Sequence, residues 1–342
     1  MIGVKSRMIA SAPLCFIGGC DVPRLLKSRF VILAAVIAVA AVIQAADVPT
    51  PVTAVVVDPT DGALIYADQN GLSDSRFVSE LSQIHDLQFS PDGSRLAVAG
   101  GVSGEQGQLE VFDTSKPQTN RTLFFDGSLD VVYAVAWSPD GRYLGAASLD
   151  GTAQVIDTRS GKAVARLAGH SRGVTAIAFI EDTVLVTGSL DESLRVWKLD
   201  VRDESGCRLL RTLSNHTGAV TGIAVRPAEP NSSRSAGLPM IASVSEDRTM
   251  RLWQPTIGRM VRFVRLDSVP VCATWLPDGS QVVIGGRDGS LRQVDPDSVE
   301  VLHFDRLCRS PVMSVAVTRD GQFCFIGSGR DGVQKAAVRI PH

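Results

Sequence analysis

The sequence predicts an all-β protein, a β-propeller of seven sheets preceded by one amino-terminal hydrophobic helix. Three observations predict it. One strand-turn-strand pattern recurs seven times after residue 50. Turn residues of a fixed type separate the strands. No amphipathic helix of useful length follows residue 46.

The first strand of each unit alternates apolar and small residues. The seven copies cover 52–57 (VTAVVV), 84–89 (IHDLQF), 132–137 (VYAVAW), 174–179 (VTAIAF), 220–225 (VTGIAV), 271–275 (VCATW) and 312–317 (VMSVAV). Their starts lie 41–51 residues apart, with one shorter step of 32 between the first two. Ser90-Pro-Asp-Gly93, Ser138-Pro-Asp-Gly141 and Leu276-Pro-Asp-Gly279 follow three of them. In such turns Pro presets φ, Asp bonds its own backbone and Gly accepts positive φ. Second strands follow, then an Asp-bearing turn: Asp150-Gly151, Asp191-Glu192, Asp247-Arg248, Asp288-Gly289 and Asp331-Gly332. Third strands include 152–156, 193–197, 249–253 and 290–294, and more polar fourth strands include 121–124, 163–167, 209–213, 260–263 and 299–303.

Four strands per unit at a period near 40 is the arithmetic of a propeller. A β-sandwich would lack the regular period. The first unit is the weakest, because Gly71–Leu81 is too short for two ordinary outer strands. The last unit ends at its third strand, near 336–340, and 47–51 is expected to supply the missing strand and close the ring. Closure removes free sheet edges. Residues 227–239 (PAEPNSSRSAGLP) read as a loop inserted between first and second strands of the fifth unit. Gly100–Gly107 is glycine-rich but lies between strands, so it reads as a hairpin loop.

Two domains are expected: a signal peptide or signal anchor over 1–46 and the propeller over 47–342. Residues 30–46 (FVILAAVIAVAAVIQAA) are apolar but for Gln44, with Arg24, Lys27 and Arg29 before them and Ala45-Ala46 at the exit. That is the layout of an export signal. The basic flank keeps 1–29 in the cytoplasm and sends the rest across the membrane. An uncleaved helix of 17 residues would span about 25 Å, so an anchor also remains open. A start at Met8 would shorten the leader, and a mis-assigned start would leave a cytoplasmic protein.

The leader holds five of the 34 basic and one of the 36 acidic residues, so the remainder is net −6. An acidic body has no nucleic-acid signature. Cys207, Cys272, Cys308 and Cys324 follow the leader without a CxxC pair or a nearby His at ligand spacing, so no metal or cofactor is expected and disulfides are left open. There is no Walker loop and no GxGxxG opening a helix.

Two units carry a family resemblance. One reads Gly169-His170, then Thr187, Asp191 and Trp197; the other reads Asn215-His216, then Ser243, Asp247 and Trp253. The step from hydroxyl to Asp to Trp is four and then six residues in both. These units resemble WD40 repeats, as found in signal-bearing bacterial WD40-repeat proteins. Phe112-Asp113, Ile156-Asp157 and Val294-Asp295 stand at the family's WD-pair positions without Trp. The resemblance implies two structural tetrads: His170, Thr187, Asp191, Trp197 and His216, Ser243, Asp247, Trp253. Linking indole, hydroxyl, imidazole and carboxylate satisfies every buried polar group at once. A His–Asp–Ser set also fits a hydrolase triad. Duplication at equal spacing, with Trp in place of an exposed nucleophile, favours the structural role.

The resemblance further implies a non-catalytic scaffold of the cell envelope that binds a protein or peptide partner on loops entering the first strands. Asp130, Arg172 and Asp267 are the candidates beside those strands. Contact with a membrane is expected through the amino-terminal segment if it stays uncleaved. A channel-borne hydrolase or oxidoreductase is the alternative, as is a cytoplasmic scaffold. Arg259, Arg262 and Arg265 form a basic row with Met260 and Phe263, readable as a peptide contact or as a plain outer strand.

Overall fold

The structure, a computed structural model, describes residues 54–57, 63–68, 71–78, 81, 83–102, 104–105, 107–114, 120–123, 130–200, 206–227, 238–318, 320–328 and 331–338. All elements among them are strands. The expected amino-terminal helix, the boundary at 46 and 47, the closing segment 47–51 and most of the loop 227–239 lie outside the described residues. Among the described residues no helix is long and apolar enough to cross a membrane.

The chain is an all-β propeller. Five sheets have four strands each, in simple antiparallel order. They are β4 (Ile84–Phe89), β5 (Arg95–Gly101), β6 (Gly107–Asp113), β7 (Asn120–Leu123); β8 (Val132–Trp137), β9 (Tyr143–Ser148), β10 (Thr152–Asp157), β11 (Lys162–Ala168); and β12 (Val174–Glu181), β13 (Val184–Ser189), β14 (Leu194–Leu199), β15 (Cys207–Leu213). Next come β16 (Val220–Val225), β17 (Ile241–Ser245), β18 (Thr249–Gln254), β19 (Arg259–Arg265), and β20 (Pro270–Trp275), β21 (Val282–Gly286), β22 (Ser290–Val294), β23 (Val301–Arg306). A sixth sheet has three: β24 (Val312–Val317), β25 (Phe323–Ser328) and β26 (Gly332–Ala337). Their first strands pack in the order β4, β8, β12, β16, β20, β24.

The expected count of seven blades is thereby corrected to six. The unit before them is a three-stranded sheet, β1 (Ala54–Val57), β2 (Ala63–Asp68) and β3 (Gly71–Val78). Its shortness has a plain cause: β3 ends at Val78 and β4 begins at Ile84, which leaves no room for a fourth strand.

Burial explains the strand composition. Second strands β9, β13, β17 and β21 are buried along their whole length, because neighbouring blades cover both faces of each sheet. They therefore read as unbroken apolar and small runs. Outer strands have no sheet beyond them, and β19 is exposed or half-buried throughout. The core lies between blades: Ile177 and Phe179 of β12 pack with Ala134, Ala136, Tyr143 and Ala147 of the preceding blade. Small residues there let the sheets approach. A Cβ on Gly145 would press on the Ile177 side chain at 2.8 Å.

Hairpins follow their local chemistry. In the turn after β8, Gly141 N–H donates to Ser138 O at 2.8 Å, Gly141 has φ of 68°, and Ser138 Oγ donates to Asp140 Oδ1 at 2.6 Å.

Two tryptophans tie blades together. Trp137 at the end of β8 donates its indole N–H to Gln88 O of β4 at 2.9 Å, and its backbone N–H to Gln88 Oε1 at 2.8 Å. Trp275 at the end of β20 donates to Ala224 O of β16 at 3.1 Å.

Candidate functional site

Four of the hairpins between second and third strands carry an Asp that bonds its own turn. Asp150 accepts from Thr152, Asp191 from Ser193, Asp247 from Thr249 and Asp288 from Ser290, through both backbone N–H and hydroxyl. One carboxylate oxygen thus closes the turn. The other is left to reach outward.

In two blades it reaches a histidine. His170 Nδ1 stands 2.9 Å from Asp191 Oδ2, and its Nε2 stands 2.8 Å from Thr187 Oγ1. Trp197 Nε1 donates to the same hydroxyl at 2.9 Å. The next blade repeats the arrangement. His216 Nδ1 to Asp247 Oδ2 is 2.8 Å, His216 Nε2 to Ser243 Oγ is 2.7 Å, and Trp253 Nε1 donates to Ser243 Oγ at 2.8 Å. All eight predicted residues of the two tetrads are brought together.

Partner chemistry assigns the protons. A carboxylate only accepts, so the neutral imidazole carries its proton on Nδ1. Nε2 then accepts from the hydroxyl, and the hydroxyl oxygen accepts from the indole. Every donor points toward the carboxylate. Burial holds His170 and His216 below the usual histidine range despite their aspartates, which keeps the rings neutral at pH 7. Burial also pushes the two aspartates upward. Hydrogen bonds from Ser193 and His170, and from Thr249 and His216, outweigh it and bring both to about 2.

The relays fix loops as well as hairpins. Ser171 N–H donates to Asp191 Oδ2 at 3.0 Å, and Thr217 N–H donates to Asp247 Oδ2 at 3.1 Å. Both lie in loops entering first strands. Other blades substitute for the histidine. Asp331 accepts from Ser310 N–H at 3.1 Å and Ser310 Oγ at 2.9 Å, while Asp288 holds the buried Arg292 at 2.9 Å.

Asp130, Arg172 and Asp267 all sit in loops entering first strands, at one end of the sheets. Arg172 and Asp267 are exposed. Arg172 Nη1 donates to Leu190 O at 3.4 Å. Asp130 is half-buried, and its Oδ1 accepts from Gly104 N–H and Val131 N–H, each at 2.7 Å. It ties the β5–β6 hairpin to the next blade.

Sequence reasoning missed two features at this end. Arg287 Nη2 meets Glu246 Oε1 at 2.7 Å, an exposed ion pair joining the hairpins of adjacent blades. Each precedes the turn Asp of its repeat, so superposing repeats would have paired them. His85 stacks on Tyr133 with ring centroids 5.4 Å apart, second residues of neighbouring first strands. Burial pushes the Cys272 and Cys324 thiols up to about 12. Among the described residues no group of three or more His, Cys, Asp or Glu is placed to hold a metal ion.

The family model described as WD domain, G-beta repeat, matches residues 119–157, 161–198 and 207–254. The second and third matches contain the two relays. The chain is 28% identical over 271 residues to Protein ROOT INITIATION DEFECTIVE 3 of Arabidopsis thaliana, covering 72% of this chain and 59% of that protein. It is 28% identical over 167 residues to THO complex subunit 3 of the same plant, covering 48% and 50%. Jouberin of Rattus norvegicus is 28% identical over 220 residues, covering 61% of this chain and 20% of that one. The chain thus spans a half to three fifths of the length of the first two relatives and a fifth of the third.

Proposed function

Because the chain belongs to the WD40-repeat β-propellers, we propose that it is a non-catalytic scaffold binding protein partners on loops entering its first strands. One observation carries the reading: each relay clamps the loop after its histidine to the hairpin of the same blade, through Ser171 and Thr217. Loop side chains are then presented without the entropy cost of ordering them on binding. Arg172, Asp267 and the Glu246–Arg287 pair are among the charged groups at that end. The His–Asp pairs that a hydrolase would need end instead on buried hydroxyls, with Thr187 and Ser243 inaccessible to a substrate. One relative's name, THO complex subunit 3, describes a member of an assembly. An exported location is part of the proposal on the strength of residues 30–46 alone, and sequencing of the mature amino terminus tests it.

The binding test compares partners captured by the full chain with those captured by Arg172→Glu, Asp267→Lys and Arg287→Glu. Selective loss of one partner with unchanged melting supports the reading. Identical capture by all four proteins removes it.

A further inference from the structure

Large apolar side chains are exposed at eight described positions, and six of these cluster on the outer rim of three consecutive blades. They are Leu209 on β15, Ile257 and Phe263 at β19, and Val301, Leu302 and Phe304 on β23. Scattered exposed apolar residues are ordinary; a run of them along one rim marks a contact surface. The rim is continuous from blade to blade. A Cβ on Gly258 would touch Arg211 Cδ at 3.2 Å, which brings β15 against the turn into β19. Arg262 Nη1 lies 4.0 Å from Asp297, which brings β19 against the turn into β23.

The charge of this rim opposes that of the molecule. Strands β15 and β19 carry Arg208, Arg211, Arg259, Arg262 and Arg265, all exposed, and no acidic residue. Outside residues 1–46 the chain is net acidic. Two of the exposed rings are overlaid by guanidinium groups, Phe263 by Arg251 at 5.4 Å and Phe304 by Arg292 at 4.8 Å. Strand β19 also ends its sheet, so one row of its backbone N–H and C=O groups has no strand beyond it.

We propose that this rim is a second docking surface, distinct from the loop end, and that it takes an extended acidic protein segment bearing apolar side chains. The segment adds to β19 as a further strand, its backbone pairing with the outer edge. Its carboxylates meet the arginines, and its apolar residues cover Phe263 and the exposed residues of β15 and β23. A protein segment fits better than an anionic bilayer. The acidic body would be repelled by anionic lipid.

The test uses the full chain and a fluorescent peptide long enough to lie along β19, alternating Asp or Glu with Leu or Phe. A counterpart with Lys for each acid is the control. The acidic peptide alone should bind, and added salt should weaken it. A variant carrying Arg259→Glu, Arg262→Glu and Arg265→Glu should lose affinity by about tenfold or more, since a few exposed charge pairs together reach one decade. Arg208→Glu with Arg211→Glu on β15 is the second variant, independent of folding at β19. Equal binding of both peptides, no binding of either, or unchanged affinity in a folded variant would overturn the proposal. Binding instead to phosphatidylserine–phosphatidylcholine vesicles, lost in the same variants, would overturn it in favour of a membrane. Failure of the peptide test, with partner capture still lost in the Arg172, Asp267 or Arg287 variants, would sink the rim and leave the scaffold reading standing.

Discussion

Val135 on β8 donates its backbone N–H to the half-buried Asp86 carboxyl of β4 at 2.8 Å, so a side chain of one blade holds the backbone of the next. Leu87 N–H adds a second bond to the same carboxylate at 2.9 Å. Burial dominates these two donors and lifts Asp86 to about 7. An unfolded Asp ionises near 3.8. Between those values the folded chain keeps a proton that the unfolded chain has released. Stability therefore falls as pH rises through this window, by up to about 4 kcal/mol from this group. Asp86→Asn removes the contribution. Urea melts of both proteins from pH 4 to 8 should converge at the acid end, apart from a constant offset, and diverge in favour of the variant toward neutral pH. Parallel profiles would mean that Asp86 does not titrate in this range.

The His170–Asp191 pair makes the opposite prediction. A histidine held below 6.5 stays neutral in the fold and takes up a proton when unfolded, so its contribution is present above 6.5 and lost as pH falls. His170→Ala and Asp191→Ala should each destabilise by about 1–3 kcal/mol. Their effects should be non-additive, because both remove one relay. Full additivity in a double-mutant cycle would show that they are not coupled.

Trp253 is buried at 1% exposure and donates to Ser243 Oγ. Trp253→Phe keeps most of the apolar contact and removes the donor, with an expected cost of about 1–3 kcal/mol by calorimetry. Trp253→Phe combined with Ser243→Ala should cost less than the sum of the two.

Two glycines with similar backbone angles should respond differently to Ala. Gly104 has φ of 77° and open space around its Cα, so Gly104→Ala should cost about 1 kcal/mol from the left-handed conformation alone. Gly289 has φ of 80°, and a Cβ there would fall against the Cys308 carbonyl oxygen. Gly289→Ala should therefore lower the melting temperature clearly further. Equal melting temperatures would refute the close approach.

Cys272 and Cys324 should resist thiol reagents at pH 8 in the native protein and react on unfolding, since only the thiolate is nucleophilic. Fast native labelling at either position, located by mass spectrometry, would contradict the raised thiol pKa values.

Much of the relay chemistry was legible because it is local. Thr187, Asp191 and Trp197 lie within one hairpin, and Ser243, Asp247 and Trp253 repeat the interval. Strand order within a blade was legible for the same reason, since turns such as Ser138-Pro-Asp-Gly141 determine their own hairpins. The blade count was not. Repeated apolar strands show that sheets form, yet a short unit such as Gly71–Val78 does not reveal whether its sheet joins the packed row.

By itself, the sequence determined the repeat and the all-β fold, because those depend on spacings within one unit, and its resemblance to WD40 repeats implied the two hydrogen-bonded relays. The tertiary structure decided which units meet. Asp86 finds Val135, Trp137 finds Gln88, Glu246 finds Arg287, and three outer strands join their arginines and exposed rings into one rim. Partners of that kind lie more than 40 residues apart, in different repeats. They are selected by how one packed sheet seats against the next.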